Sequence, residues 1–155
     1  MTTKIERRAA SRPGKDSRHR ARETALQMLY QWEVGRTPVS DVLRTFWLHQ
    51  ESEEAGLSDE LRAFAVRLTT GVTDTIGNID PVIVESAEHW RLERMNVVDR
   101  LILRLAIYEF LHEADTPSRV IINEALELGR TFSGDDSVRF INGILDAIRR
   151  RLGRE

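Results

Sequence analysis

The sequence predicts an all-α fold, and three features predict it. Apolar residues recur at helical spacing in one segment after another. A stretch after Asn96 is apolar on every side, as a helix in the middle of a bundle must be. No segment carries the strict alternation of a half-buried strand. Val120-Ile121-Ile122 is β-branched, but Pro117 before it and Glu124-Ala125-Leu126-Glu127-Leu128 after it favour helix.

Residues 1–16 contain Pro13-Gly14 and almost no large apolar side chain, so they are expected to form a flexible basic arm. From Ser17 the pattern turns helical. Ala21, Ala25, Met28, Leu29 and Trp32 share one arc, with His19, Leu26 and Tyr30 beside it and Arg18 and Arg22 between. This helix is expected to stop near Gly35. A second is expected from about Asp41 to Gln50, followed by a loop over Glu51–Gly56. Ser58 can cap a third that turns Leu61, Phe64, Ala65, Leu68 and Val72 inward.

Asp80-Pro81 reads as the start of a short fourth helix reaching about Ala87, since proline is tolerated in a first turn. Asn96 can cap the fully apolar fifth. Thr116-Pro117 opens a sixth that ends at Phe132, and Ser133-Gly134 breaks the pattern. Asp135, Asp136 and Ser137 can then cap a seventh running to about Leu152. The short connections predict a single helical domain over 17–155. Asn142-Gly143 falls inside the seventh helix. Glycine there costs about 1 kcal/mol relative to alanine, which suggests that another helix packs closely against it.

With 41% hydrophobic and 31% charged residues the chain suits a soluble globular protein. No apolar run approaches the ~18–20 residues of a membrane span. No export signal is visible at the N-terminus, and the absence of cysteine fits a reducing cytoplasm and rules out thiolate chemistry. The net charge of −2 conceals an asymmetry. Residues 4–22 hold eight basic side chains against Glu6 and Asp16, so that segment carries +6 and the rest of the chain −8. Such a distribution is the footprint of a polyanion binder. On charge alone, a solubilising tail accounts for it as well.

Enzyme chemistry finds no support. His19, His49, His89 and His112 are scattered without metal-ligand spacing. There is no phosphate-binding glycine loop and no Gly-x-Ser-x-Gly elbow. Acidic pairs such as Asp135-Asp136 sit where a helix dipole favours them. No catalytic residue, metal site or cofactor is expected.

Three blocks resemble one family. Ala21-Arg22-Glu23 with Ala25-Leu26-Gln27-Met28-Leu29-Tyr30-Gln31-Trp32-Glu33 is similar to the opening helix of NusB proteins. Val98-Asp99-Arg100 with Leu103-Arg104-Leu105-Ala106-Ile107-Tyr108-Glu109 is similar to their central helix. Asn123-Glu124-Ala125, followed by Phe140-Ile141-Asn142-Gly143-Ile144-Leu145-Asp146, resembles their C-terminal signature. The blocks keep their order from about Ser17 to Arg149, and Asn123-Glu124-Ala125 together with the run Phe140 to Asp146 is specific.

The resemblance implies a compact seven-helix fold of two packed sub-bundles that performs no catalysis. It implies that the protein pairs with the ribosomal protein NusE, binds single-stranded boxA of nascent ribosomal RNA, and acts in the RNA polymerase antitermination complex. Arg18, His19, Arg20 and Arg22 match the family's RNA-binding start, and Arg104 a basic position near the same surface. Phe132 and Asp136 match positions near the RNA, while Tyr30, Asp99 and Phe140 match positions at the NusE contact. Tyr30 and Phe140 equally suit core packing.

One departure stands out. His19 occupies a place where a third consecutive arginine is common, and the arm before it is longer than usual. Two other readings remain open: a NusB-like module of a ribosomal RNA methyltransferase, although these 155 residues include no strand-rich cofactor domain, and a protein adaptor without RNA contact.

Overall fold

The computed structural model describes residues 17–50, 56–88 and 90–155. The arm expected over 1–16, all of the expected loop except Gly56, and His89 lie outside the described residues. The described chain holds seven α-helices and one 3₁₀ turn, with no strand among the described residues. No helix there is long and apolar enough to cross a membrane. The chain divides into two compact units, one up to Thr73 and one from Asp74.

The first unit comprises α1 (Ser17–Val34), α2 (Val39–Gln50) and α3 (Asp59–Asp74). Ala21, Ala25, Leu26, Met28 and Leu29 are buried on α1, Val42 and Phe46 on α2, and Phe64, Ala65, Leu68 and Val72 on α3. Trp32, expected inside, is only half-buried, because the arc of α1 runs out at its last turn. There Gly35 donates its N–H to the Gln31 carbonyl at 3.0 Å. A Cβ at Gly35 would lie 2.6 Å from that same oxygen, so the stop requires glycine. Ser58 does cap α3: its Oγ accepts from the Leu61 N–H at 3.3 Å.

The second unit comprises α4 (Ile76–Ser86), the 3₁₀ turn (Leu92–Arg94), α5 (Val97–His112), α6 (Ser118–Phe132) and α7 (Asp135–Arg151). Helix α4 starts four residues before Asp80, so Pro81 lies inside it rather than in its first turn. An interior proline forfeits a backbone hydrogen bond. Starting early places Ile79 and Ile83, one turn apart, fully in the core. Each such side chain contributes about 1.5–3 kcal/mol, enough to offset that loss.

Helix α5 is the centre of its unit. Asn96 caps it as expected, with its side-chain oxygen accepting from the N–H groups of Val98 (2.8 Å) and Asp99 (3.4 Å). Every residue from Leu101 to Phe110 is buried. Arg104 is among them, and its Nε and Nη2 both donate at 2.9 Å to the two carboxylate oxygens of Asp80 on α4. The C-terminal end of α5 is held by Arg154, whose Nη1 donates to the Phe110 carbonyl at 3.0 Å and Nη2 to that of Thr116 at 2.8 Å.

Two expectations about α7 are corrected. Gly134, in extended conformation, caps it, not a side chain; Asp135, Asp136 and Ser137 fall in its first turn, and the Ser137 hydroxyl is used elsewhere. Gly143 has no neighbour that would meet a Cβ, so helix packing does not explain it. At Gly129 on α6 a Cβ would lie 3.4 Å from Ile141 and 3.5 Å from Val138 of α7, an ordinary packing contact that alanine could make. The far end of α7 closes in a Schellman motif, with Gly153 at φ 69 and the Arg154 N–H donating to the Arg149 carbonyl at 3.0 Å.

Removing Arg104, which is buried, leaves the half-buried Asp80 carboxylate without its two-pronged partner. Arg104→Ala is therefore expected to cost about 3 kcal/mol and lower Tm by roughly 10 °C. Combining Arg104→Met with Asp80→Leu should recover most of that loss; a single variant that melts like the parent would refute the clamp.

A hydrogen bond from Arg149 at 2.9 Å and the charges of Arg150 and Arg149 hold the Asp146 carboxyl below its ordinary value of 3.8, against a smaller opposing effect of desolvation. Its contribution is thus fully present above that ordinary value and lost as pH falls below it, through the lowered value of the folded state. Asp146→Asn should lower Tm at neutral pH, and thermal melts should show the gap closing below about pH 4.

Candidate nucleic-acid interface

In the first unit the basic run opens α1, and helical geometry sends its members to different sides. Arg18 is exposed and Arg20 half-buried, whereas His19 and Arg22 are buried at 1% and 2% exposure. His19 Nε2 lies 3.3 Å from Glu23 Oε2, one turn on. The arginines are organised by a ring. The Arg18 guanidinium sits 4.2 Å above the centre of Phe64 on α3, with Arg22 at 5.5 Å and Arg67 at 5.0 Å from the same centre.

A second stack places Arg62 4.3 Å from the Trp47 ring, which itself meets Phe46 edge-on at 5.2 Å. Aromatic faces attract cations and hold guanidinium planes in place. Tyr30, 36% exposed, lies about 18 Å along α1 from Arg18, given a rise of 1.5 Å per residue.

In the second unit Asp99, Phe132, Asp136 and Phe140 gather around the turn between α6 and α7. Asp99 is buried, with one carboxylate oxygen accepting from Ser133 Oγ and the other from Ser137 Oγ, both at 2.9 Å. The two hydroxyl oxygens are 2.7 Å apart. The first turn of α5 thereby fixes both ends of the turn that presents Phe132 and Asp136. Asp136 is 96% exposed and pairs with Arg139. Phe140 is half-buried and meets Trp90 edge-on, with ring centres 5.4 Å apart. Arg104 faces inward, onto Asp80.

Sequence reading singled out neither Trp90 nor the Phe64 cluster. Trp90 is 57% exposed, and a tryptophan in the polar segment between α4 and the 3₁₀ turn was a usable signal. Arg67 gave none, because its closeness to Arg18 exists only once α1 and α3 are folded together. Among the described residues no three His, Asp or Glu side chains converge as a metal site would require.

The arrangement can neutralise phosphates and offer aromatic faces. The profile of the NusB family matches residues 19–150. The transcription antitermination protein NusB of Solibacter usitatus (strain Ellin6076) is 45% identical over 136 residues, 88% of this chain and 90% of that protein. NusB of T. maritima superposes with a TM-score of 0.75 at 34% identity, over 86% of this chain and 90% of that one. A chain from a complex of the antitermination factors NusB and NusE with double-stranded RNA gives a TM-score of 0.75 at 23% identity, over 87% and 97%. By its matched length and by these identities, the chain belongs to the NusB family.

Proposed function

We propose that the protein is a non-enzymatic, cytoplasmic transcription antitermination factor that binds single-stranded boxA of nascent ribosomal RNA together with the ribosomal protein NusE, within the RNA polymerase antitermination complex. The observation that carries this reading is the basic opening of α1, where an exposed guanidinium is held over an aromatic ring. The name of the Solibacter relative and the solved complex of NusB, NusE and RNA support it.

Arginine neutralises phosphate and releases counterions, which gives affinity with little sequence information. Bases of a single strand are then read by stacking and by hydrogen bonds to their edges. Aromatics make up only 6% of the chain, so NusE is expected to supply further contacts.

In this reading Arg18 and Arg20 face the RNA, while buried His19 and Arg22 set the register of the helix that carries them. Arg104 acts indirectly, by holding α4 to α5. Phe132 and Asp136 flank the RNA path on the second unit. Tyr30 and Phe140 meet NusE, and Asp99 shapes the α6–α7 turn that NusE reads.

If about four phosphates are neutralised, the log–log salt slope on single-stranded RNA should be near −3, and a fourfold rise in salt should weaken binding about fifty-fold. Replacing Arg18 and Arg20 with alanine should flatten the slope. A filter-binding titration on boxA-like, scrambled and duplex RNA checks this, with and without NusE. A flat slope for the parent protein alongside intact NusE binding would instead mark an adaptor without RNA contact.

Asp136→Asn should tighten RNA binding, because it removes an anion beside the phosphate path and releases Arg139 from its ion pair. Unchanged or weaker affinity in a folded variant would count against placing Asp136 there.

A further inference from the structure

We propose that exposed Trp90 is a stacking platform for a base of the bound single-stranded RNA, a role that deepens the RNA-binding reading and rests on it.

Trp90 lies between α4 and the 3₁₀ turn and is 57% exposed. Its backbone N–H donates to the Ala87 carbonyl at 3.0 Å, which fixes the chain where the ring leaves it. The indole meets Phe140 of α7 edge-on, with 5.4 Å between ring centres and 75° between planes. Such a contact can cover at most one face of the indole. Phe140 stands one turn beyond Asp136 on the same side of α7, so the indole lies beside the path assigned to RNA.

Two consecutive residues at the start of α5 brace this surface. Asp99 accepts from Ser133 and Ser137 and so fixes the α6–α7 turn. Arg100 donates through Nη1 to the carbonyls of Leu92 at 3.1 Å and Met95 at 3.5 Å, which ties the 3₁₀ turn after Trp90 to the same helix. The ring is thus carried by a backbone already held in place, and less order has to be imposed when a flat ligand arrives.

The surroundings favour a base over a protein side chain. Among the described residues, Trp90 is the one exposed large apolar side chain between Val84 and Leu111. Its exposed neighbours in the chain are Glu88, Arg91, Glu93 and Arg94, two acids and two bases. A protein interface is built on a contiguous apolar core, which this polar segment does not offer. Stacking needs only an open aromatic face, and every base has a matching one. The balanced charge of the segment also means that the contact adds affinity without adding salt dependence.

The probe is a boxA-like single-stranded RNA oligonucleotide titrated against the full chain, with a duplex of the same sequence beside it. Trp90→Ala should weaken single-strand binding about tenfold at each salt concentration and leave the log–log slope as in the parent. Trp90→Phe keeps a ring and should recover most of the affinity; Trp90→Leu keeps only apolar bulk and should not. Duplex affinity should be equal in all four proteins, because paired bases are already stacked. RNA should quench the parent's tryptophan fluorescence, and Trp90→Phe should lose most of that quench. All three variants should melt like the parent protein.

A parent that captures RNA while Trp90→Ala matches its affinity would bring down this inference alone. So would a Trp90→Leu that binds as Trp90→Phe does, or a quench that survives in Trp90→Phe. Loss of NusE binding by Trp90→Ala with RNA capture intact would give the ring to the protein partner instead. A parent that captures no RNA would bring down the broader reading as well.

Discussion

The second unit depends on one constraint: α5 has no solvent face over Leu101–Phe110, so every polar group it carries needs a partner inside the protein. Asp80 meets that demand for Arg104, and the Ser133 and Ser137 hydroxyls meet it for Asp99. Arg154 meets it for the last carbonyls of the helix. Each partner lies on another element, so satisfying α5 also fixes where α4, α6, α7 and the C-terminal segment must go. The turn that carries Phe132 and Asp136 is positioned as a consequence, through two serine hydroxyls.

In the first unit an aromatic ring plays the organising part. Phe64 packs inward as a core residue while guanidiniums from two helices lie within 5.5 Å of its ring centre. Arginine suits this geometry, because its plane can stack on a ring and still present donors at its edge; an ammonium cannot do both. Holding a long side chain in place also reduces the entropy lost in any contact it makes. A change at Phe64 would therefore loosen the core and release the guanidiniums together.

Much of this was legible in the sequence. Local rules located the helices because periodicity, caps and breaks agreed with one another, as at Ser58, Asn96 and Gly35. They failed where tertiary packing overrode them. The start of α4 moved ahead of Pro81 to bury Ile79, and Ser137 gave up capping to serve Asp99. At Gly143 the rule fails because a costly glycine implies a reason without saying which, and nothing lies where its Cβ would stand. The arginines of α1 were visible as a run, but Arg67 stands 45 positions beyond Arg22 and joins them only in the folded unit.

The chain's arginines show why a charge count cannot by itself locate a binding surface. Arg104 points into the core, where its charge is answered by Asp80 and its loss would be felt as instability. Arg154 spends its donors on backbone carbonyls and serves as a helix cap. Arg149 and Arg150 share Asp146, so their charges are partly answered within one helix. Arg18 and Arg67 differ again: they are exposed and lie 4.2 and 5.0 Å from the centre of the Phe64 ring, so an aromatic side chain holds them in place at the surface. Burial and geometry, rather than the +6 on residues 4–22, thus separate the arginines that build the fold from those left at the surface.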